Sequence, residues 1–245
     1  MKLYGLIGYP LGHSFSKQYF NEKFEREGLG DCFFELFALP EIGKLSSILA
    51  TERDLKGLAV TIPYKEAVLP YLQSISADAK EIGAVNCIEV LPEGLRGHNT
   101  DVIGFEQSFV PQLQHHHTKA LVLGTGGAAK AVQFVLSKIG MSFLTVSRSN
   151  RDIGIISYAD VDEALLNEYT VVINCTPAGM SPREDEKPLL PYECINFAHY
   201  LFDLVYKPTE TRFLLEGKRR GAVIKNGYDM LLIQAEENWK IWNEV

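Results

Sequence analysis

Residues 120–140 read ALVLGTGGAAKAVQFVLSKIG: an apolar run, a glycine-rich turn, then apolar residues at helical spacing. Strand, turn and helix in that order give G-x-G-x-x-A a physical meaning, and here the pattern falls on Gly124, Gly126 and Ala129. The first glycine permits the tight turn, the second lets the backbone approach a diphosphate, and the small third residue lets the helix pack closely on the strand. The helix N-terminus then faces the phosphates. Gly124, Gly126, Gly127 and Ala128 are the candidate contacts to a dinucleotide.

Cofactor choice is read at the end of the following strand, about 20 residues on, where an Asp or Glu would hold the ribose diol of NAD. FLTVSR (143–148) ends instead on Ser147, Arg148 and Ser149. A carboxylate there would repel a 2′-phosphate, whereas a guanidinium pairs with it and stacks on adenine, and serine hydroxyls add donors. The expected cofactor is NADP.

Working outward, TVVINC (170–175), YLFDLVY (200–206) and AVIKNG (222–227) alternate with DEALLNE (162–168), TRFLLEGKRR (211–220) and MLLIQAEENWKIW (230–242). Upstream, LYGLIG (3–8), SKQYFNEKFERE (16–27), FFELFAL (33–39), GLAVTI (57–62), KEAVLPYLQS (65–74) and AVNCIEV (84–90) form an earlier series of the same kind. Two αβ series predict two domains with mainly parallel sheets. The join falls after GLRGHNTD (94–101). SPREDEKPLLP (181–191), rich in charge and proline, reads as an exposed connection.

Composition excludes several classes. A net charge of -7 in 245 residues, without a basic block, argues against a surface that neutralises nucleic-acid phosphates. No apolar run approaches the ~18 residues a membrane-spanning helix needs, and MKLYGLIGYP is too short an apolar stretch for a secretory signal, so a cytoplasmic protein without a membrane partner is expected. Cys32, Cys87, Cys175 and Cys194 are scattered without a CxxC pair and read as reduced core thiols, not a disulfide framework or a metal site. His115, His116 and His117 diverge as consecutive side chains and read as a solvated loop.

Polar residues concentrate where apolar strands end: GYPLGHSFS (8–16), AVTIPYK (59–65), and AVN (84–86) with GHNTD (97–101). Such ends face the ligand crevice of a doubly wound sheet. Together with NCTPAGM (174–180), VYKPTETRF (205–213) and NGYDMLLIQA (226–235), they resemble, in order and over nearly the whole chain, the motif series of the shikimate dehydrogenases. The resemblance implies an α/β fold of two domains, an αβ substrate domain with a mainly parallel sheet and a Rossmann-type NADP-binding domain. It also implies that the final helix, carrying Gln234, returns to the first domain, which gives a substrate domain of residues 1–101 plus 229–245 and a dinucleotide domain of residues 102–228. It implies reversible reduction of 3-dehydroshikimate to shikimate with NADPH, on the route to chorismate and the aromatic amino acids. It further implies that Ser14 and Ser16 grip the substrate carboxylate, and that Thr61, Asn86 and Gln234 reach the ring hydroxyls. Lys65 and Asp101 match the catalytic pair; Asn174, Thr176 and Pro177 match the loop beside the cofactor. Gly227 matches the position near the nicotinamide, and Tyr206 lies at the cleft. The partner is a small-molecule substrate, the assembly a monomer or homodimer, and no metal is needed.

The chemistry suits those residue types. Oxidising a secondary alcohol sends a hydride to the nicotinamide and a proton to an acceptor within hydrogen-bond reach of the oxygen. Lys65 serves in both directions, donating to the forming alkoxide when protonated and accepting the alcohol proton when neutral. Asp101 orients it and binds a neighbouring hydroxyl. Taken singly, Lys65 is equally a solvated helix lysine, Asp101 a helix cap, and Ser14 and Ser16 cap or turn residues. His13 has no proton partner and reads as structural. The family's usual proline after the second serine is replaced by Lys17, and Asp152, with Arg151 one place earlier, stands where a second basic residue commonly follows Arg148. Three alternatives stay open: the same fold acting on quinate, which differs at carbon 1; a non-catalytic NADP-binding sensor, which would have lost Lys65 or Asp101; and a folate dehydrogenase, which leaves Ser14 and Ser16 without a role.

Overall fold

The computed structural model describes residues 1–12, 14–148 and 153–243; His13, Ser149, Arg151 and Asp152 therefore lie outside the described residues. The chain forms two compact units, Met1–Thr100 with Ala235–Val245, and Asp101–Gln234.

The first unit runs β1 (Lys2–Gly8), α1 (Phe15–Arg26), β2 (Cys32–Ala38), α2 (Leu45–Thr51), β3 (Leu55–Val60), α3 (Tyr64–Ala67), β4 (Ser74–Ile75), α4 (Ala77–Ile82), β5 (Cys87–Leu91) and β6 (Gly94–His98). Its sheet has the order β2-β1-β3-β5-β6-β4. β1 is parallel to β2 and β3, but β5 is antiparallel to both β3 and β6. Residues 84–90, expected to continue the βα series, instead open a hairpin. Only Pro92 and Glu93 separate Leu91 from Gly94, far short of the dozen or so residues a parallel crossover needs. Gly94, at φ 129°, takes a turn conformation that side chains rarely adopt. β1 feeds two buried clusters, Leu3 and Ile7 joining Leu58 and Val60, and Tyr4 and Leu6 joining Phe20, Phe34 and Trp242. That alternation is what a sheet covered on both faces requires.

The second unit runs α5 (Asp101–Phe109), β7 (Lys119–Leu123), α6 (Gly127–Lys138), β8 (Ser142–Val146), β9 (Ile155–Ile156), α7 (Glu163–Glu168), β10 (Val171–Asn174), β11 (Tyr200–Asp203), α8 (Arg212–Arg219), β12 (Val223–Asn226) and α9 (Tyr228–Asn243). Its sheet, β12-β11-β10-β7-β8-β9, is parallel throughout. Leu121, Val146, Val172, Leu201 and Phe213 are buried together, as near-continuous apolar strands demand.

α9 starts in the second unit and ends in the first, the chain passing between them at Ala235. The helix is unbroken there, so no residue marks the crossing, and the expected boundary at 229 falls in its first turn. Its end is seated by Trp242, whose Nε1–H donates to the Ile88 carbonyl at 3.0 Å. A Cβ on Gly57 would lie 2.2 Å from that indole, so only glycine admits it.

Candidate active site

In the first sheet the strand order reverses beside β1 and β3, since β2 and β3 lie on opposite sides of β1. Ligands of α/β sheets bind at the carboxyl ends of the strands where such a reversal occurs. The segments that follow β1 and β3 carry Ser14, Ser16, Thr61 and Lys65. Their starts are bound together: Thr61 N–H donates to the Ile7 carbonyl at 3.0 Å, and Tyr9 N–H to that of Ile62 at 3.0 Å. Ser14 holds the N-cap position of α1 without a side-chain capping bond, and the first turn contains no acidic residue. Its hydroxyl is therefore not spent on the helix. Ser16 is half-buried in that first turn, at a helix N-terminus whose dipole favours an anion. Lys17, in the family's proline position, pairs with Glu35 at 2.6 Å on the surface.

Because β5 is antiparallel to β3, its first residues stand at the same sheet edge as the last residues of β3. Val60 N–H donates to the Asn86 carbonyl at 2.8 Å, and the half-buried Lys65 accepts from Val85 N–H at 2.7 Å through its backbone carbonyl. Asn86 is only 2% exposed. Its Oδ1 accepts from Thr100 N–H at 2.7 Å and its amide donates to the Thr100 hydroxyl at 3.0 Å. Thr100 in turn donates to Asn238 Oδ1 at 2.6 Å. Asp101, buried, is covalently next to Thr100 and opens α5. Asn238 is an organising residue outside every motif, and Thr100, though inside GHNTD, has a holding role that the motif does not announce.

In the second sheet the order reverses between β7 and β10, and the two segments that leave their carboxyl ends are the glycine turn 124–126 and the loop 174–179. Gly124 has φ 111°, and a Cβ there would lie 3.2 Å from Thr176 and 3.5 Å from Cys175. Gly126 caps α6 through its backbone alone, and a Cβ on it would meet no atom within 4 Å among the described residues. The first turn of α6 has no acidic residue, Gly127 and Ala128 lie within it, and Ala129 is fully buried against the sheet. These features fit a diphosphate at the α6 N-terminus. At the tip of β8, Ser147 is buried and Arg148 exposed, close enough to Tyr158 for its charge to oppose the upward push of burial on that phenol.

Asn174, expected beside the cofactor, is completely buried. Its Oδ1 accepts from Thr176 N–H at 3.0 Å and the Thr176 hydroxyl at 2.6 Å, while its amide donates to Asp203 at 2.9 Å. Thr176 is half-buried and Pro177 exposed, so the loop itself, rather than Asn174, presents the surface. Asp203 is a residue the motif reading passed over, although a carboxylate ending the apolar run YLFD is a signal in itself. It accepts from Asn174, from Val205 N–H at 3.0 Å and from Thr211 at 2.5 Å. Desolvation outweighs these bonds and pushes its pKa up to about 7. Gly227 is fixed by its surroundings, since a Cβ there would lie 2.2 Å from the Leu204 carbonyl oxygen. Tyr206 is half-buried, with burial raising its phenol pKa, and Gln234 donates to the Leu231 carbonyl at 2.9 Å.

The three histidines are not a solvated loop. His115 is exposed, but His117 is buried, accepts from Gln114 N–H through Nδ1 at 3.0 Å, and lies 3.1 Å from the Ala198 carbonyl through Nε2. Burial lowers its pKa. His116, half-buried, also places Nε2 3.0 Å from the Ala198 carbonyl, so two of the three consecutive side chains converge and the expected divergence does not hold. All four cysteines are free, and burial raises the thiol pKa of Cys175. Among the described residues no cluster of three His, Cys, Asp or Glu could hold a metal, and no helix is long and apolar enough to cross a membrane.

Two αβ units, one with a glycine turn and helix N-terminus at its strand reversal and the other with hydroxyls and an amine at its own, define a two-domain nucleotide-dependent dehydrogenase. Residues 6–88 match the family model described as the shikimate dehydrogenase substrate binding domain. Shikimate dehydrogenases (NADP(+)) from Oleidesulfovibrio alaskensis and Halothermothrix orenii are 38% and 35% identical, over 98% of this chain and 89% and 90% of theirs. The crystal structure of shikimate 5-dehydrogenase from Thermus thermophilus in complex with NADP(H) and shikimate superposes with a TM-score of 0.87 at 30% identity, covering 100% of this chain and 94% of that one. The chain belongs to the shikimate dehydrogenase family.

Proposed function

We propose that the protein catalyses the reversible NADPH-dependent reduction of 3-dehydroshikimate to shikimate, as the relatives' names imply. The observation that supports this most is the coincidence of strand reversal with chemistry: Ser14, Ser16, Thr61 and Lys65 follow the reversal of one sheet, and Gly124, Gly126 and Asn174–Pro177 that of the other. NADP(H), when bound, supplies or takes up the hydride. The α6 N-terminus and the backbone at Gly126 hold its diphosphate, and Arg148 meets the 2′-phosphate.

Ser14 and Ser16 donate to the ring carboxylate, whose charge the α1 N-terminus also favours. Thr61, Gln234 and Asn86 are the residues assigned to ring hydroxyls, with Tyr206 a further substrate residue. Asn86 also holds Thr100 through its oxygen and amide, fixing the start of Asp101. Lys65 gives a proton to the oxygen as the ketone is reduced and takes one when the alcohol is oxidised, with Asp101 orienting it. Positioned proton transfer of this kind contributes ~10² to 10⁴-fold.

The test is spectrophotometric. Purified protein is offered shikimate or quinate with NADP⁺ or NAD⁺, and absorbance near 340 nm is followed for the four pairs. Turnover fastest with shikimate and NADP⁺ is expected; no turnover with any pair, or a clear preference for quinate, overturns the reading.

A further inference from the structure

Asp203 stands at the end of β11, which β10 separates from the strand leading into the glycine turn, and it is completely buried with three donors converging on it. Oδ1 receives Asn174 and Val205 N–H; Oδ2 receives the hydroxyl of Thr211. Each partner belongs to a different segment. Asn174 is the first residue of the loop that packs on Gly124, and it holds Thr176 through two bonds to its Oδ1. Thr176 Oγ1 in turn accepts from Ala178 N–H at 3.3 Å. At the loop's far end a Cβ on Gly179 (φ 91°) would sit 3.1 Å from Thr211, so the residue on the other oxygen of Asp203 also touches the loop. One carboxylate thus ties down both ends of residues 174–179.

We propose that Asp203 is a positioning residue: through Asn174 and Thr176 it sets the shape of the loop beside the glycine turn, and so the affinity for NADP(H), without touching the nucleotide. The inference rests on the reading of this turn as the NADP(H) site. Burial excludes direct contact, and the hydrogen bonds give the route. If Asp203 is removed, the Asn174 amide keeps only the long 3.3 Å bond to the Ala178 carbonyl, and an amide that turns to replace its 2.9 Å acceptor no longer presents Oδ1 to Thr176. The Asp203→Asn variant would keep an oxygen for Asn174 and Val205 and gain an amide to donate to the Thr211 oxygen, so the relay survives without the charge.

The experiment is calorimetric titration of NADP⁺, and separately of shikimate, into wild type, Asp203→Ala and Asp203→Asn. Asp203→Ala is expected to weaken NADP⁺ roughly tenfold, the worth of one buried hydrogen bond, and to leave shikimate within about twofold. Asp203→Asn is expected to restore NADP⁺ affinity to within about threefold of wild type. Should Asp203→Ala not fold, Thr176→Val cuts the same relay at its other end and carries the same expectation. Unchanged NADP⁺ affinity in whichever of these two folds, or an equal loss of both ligands, overturns the proposal. So does an Asp203→Asn variant as weak as Asp203→Ala, because charge and not positioning would then be at stake. Wild-type protein that fails to bind NADP⁺ overturns the functional reading itself, and this inference with it.

Discussion

Replacing Asp203 by Asn should remove a loss of stability that wild type undergoes as pH rises toward neutrality, and the size of that loss follows from the buried carboxyl. An unfolded chain ionises this group near 3.8; the folded one does so only near 7, because desolvation outweighs the bonds from Thr211, Val205 and Asn174. Its pKa is raised by folding, so its contribution is full below pH 3.8, declines as pH rises toward 7, and is flat above. At about 1.36 kcal/mol per pH decade the whole change is about 4 kcal/mol, of which roughly 3 falls between pH 5 and 8. An asparagine does not titrate, and every other group is common to both proteins. Urea unfolding of wild type and Asp203→Asn at pH 5 to 8.5 should therefore show the variant gaining on wild type by roughly 3 kcal/mol across that range. A difference independent of pH would mean that the three donors already compensate the buried charge, and would refute the reasoning.

Lys65→Ala should lower kcat by ~10² to 10⁴-fold while calorimetry still detects shikimate and NADP⁺, since the lysine acts when charge develops on the oxygen; wild-type turnover would return Lys65 to the surface. Ser14→Ala and Ser16→Ala should each raise the shikimate KM, by a loss on the order of 1 to 3 kcal/mol, with a smaller change in kcat; steady-state kinetics with unchanged KM would leave the serines structural. Arg148→Ala should raise the KM for NADP⁺ roughly ten- to a hundredfold and leave that for NAD⁺ nearly unchanged, because only the former has a 2′-phosphate; equal losses in a two-cofactor assay would dismiss the contact. Gly227→Ala forces a Cβ to within 2.2 Å of a backbone oxygen, and should cost at least ~1 to 3 kcal/mol, read as a lowered Tm with weakened NADP⁺ binding; wild-type Tm and affinity would show that the backbone there gives freely.

The second sheet was more legible than the first for a physical reason. A fully parallel sheet buried on both faces needs near-continuous apolar strands joined by amphipathic helices, and ALVLG, TVVINC and YLFDLVY show that rhythm openly. In the first unit AVNCIEV looks the same as a parallel strand. What reverses it is a two-residue connection, Pro92 and Glu93, and a turn is a matter of a few backbone angles rather than of periodicity. α9 illustrates a different limit: its helical pattern runs unbroken from Tyr228 to Asn243, so nothing in the spacing reports that its last turns, through Trp242, belong to another core. Gly57 holds that information, and a lone glycine in a strand speaks only once the indole above it is known.

Within the site, legibility followed exposure. Residues that would meet a ligand, such as Ser14, Ser16, Lys65 and Arg148, form motifs because chemistry demands particular groups at particular chain positions. Residues that hold those groups in place answer only to their neighbours, and any partner that closes the hydrogen bond will do. Asn238, beyond the last motif, meets Thr100 of GHNTD over one 2.6 Å bond, and it belongs to no pattern. Asn174 shows how the two kinds are confused: it sits inside the motif NCTP, yet it is wholly buried, with its amide spent on Asp203 and its oxygen on Thr176. A motif residue is thus not of necessity a contact residue, and burial separates the two. Asn174, fully enclosed with its amide on Asp203 and the Ala178 carbonyl and its oxygen on Thr176, can influence a ligand only by shape. Its substitution should then be mimicked by substitution of its partner, which a directly contacting residue would not allow.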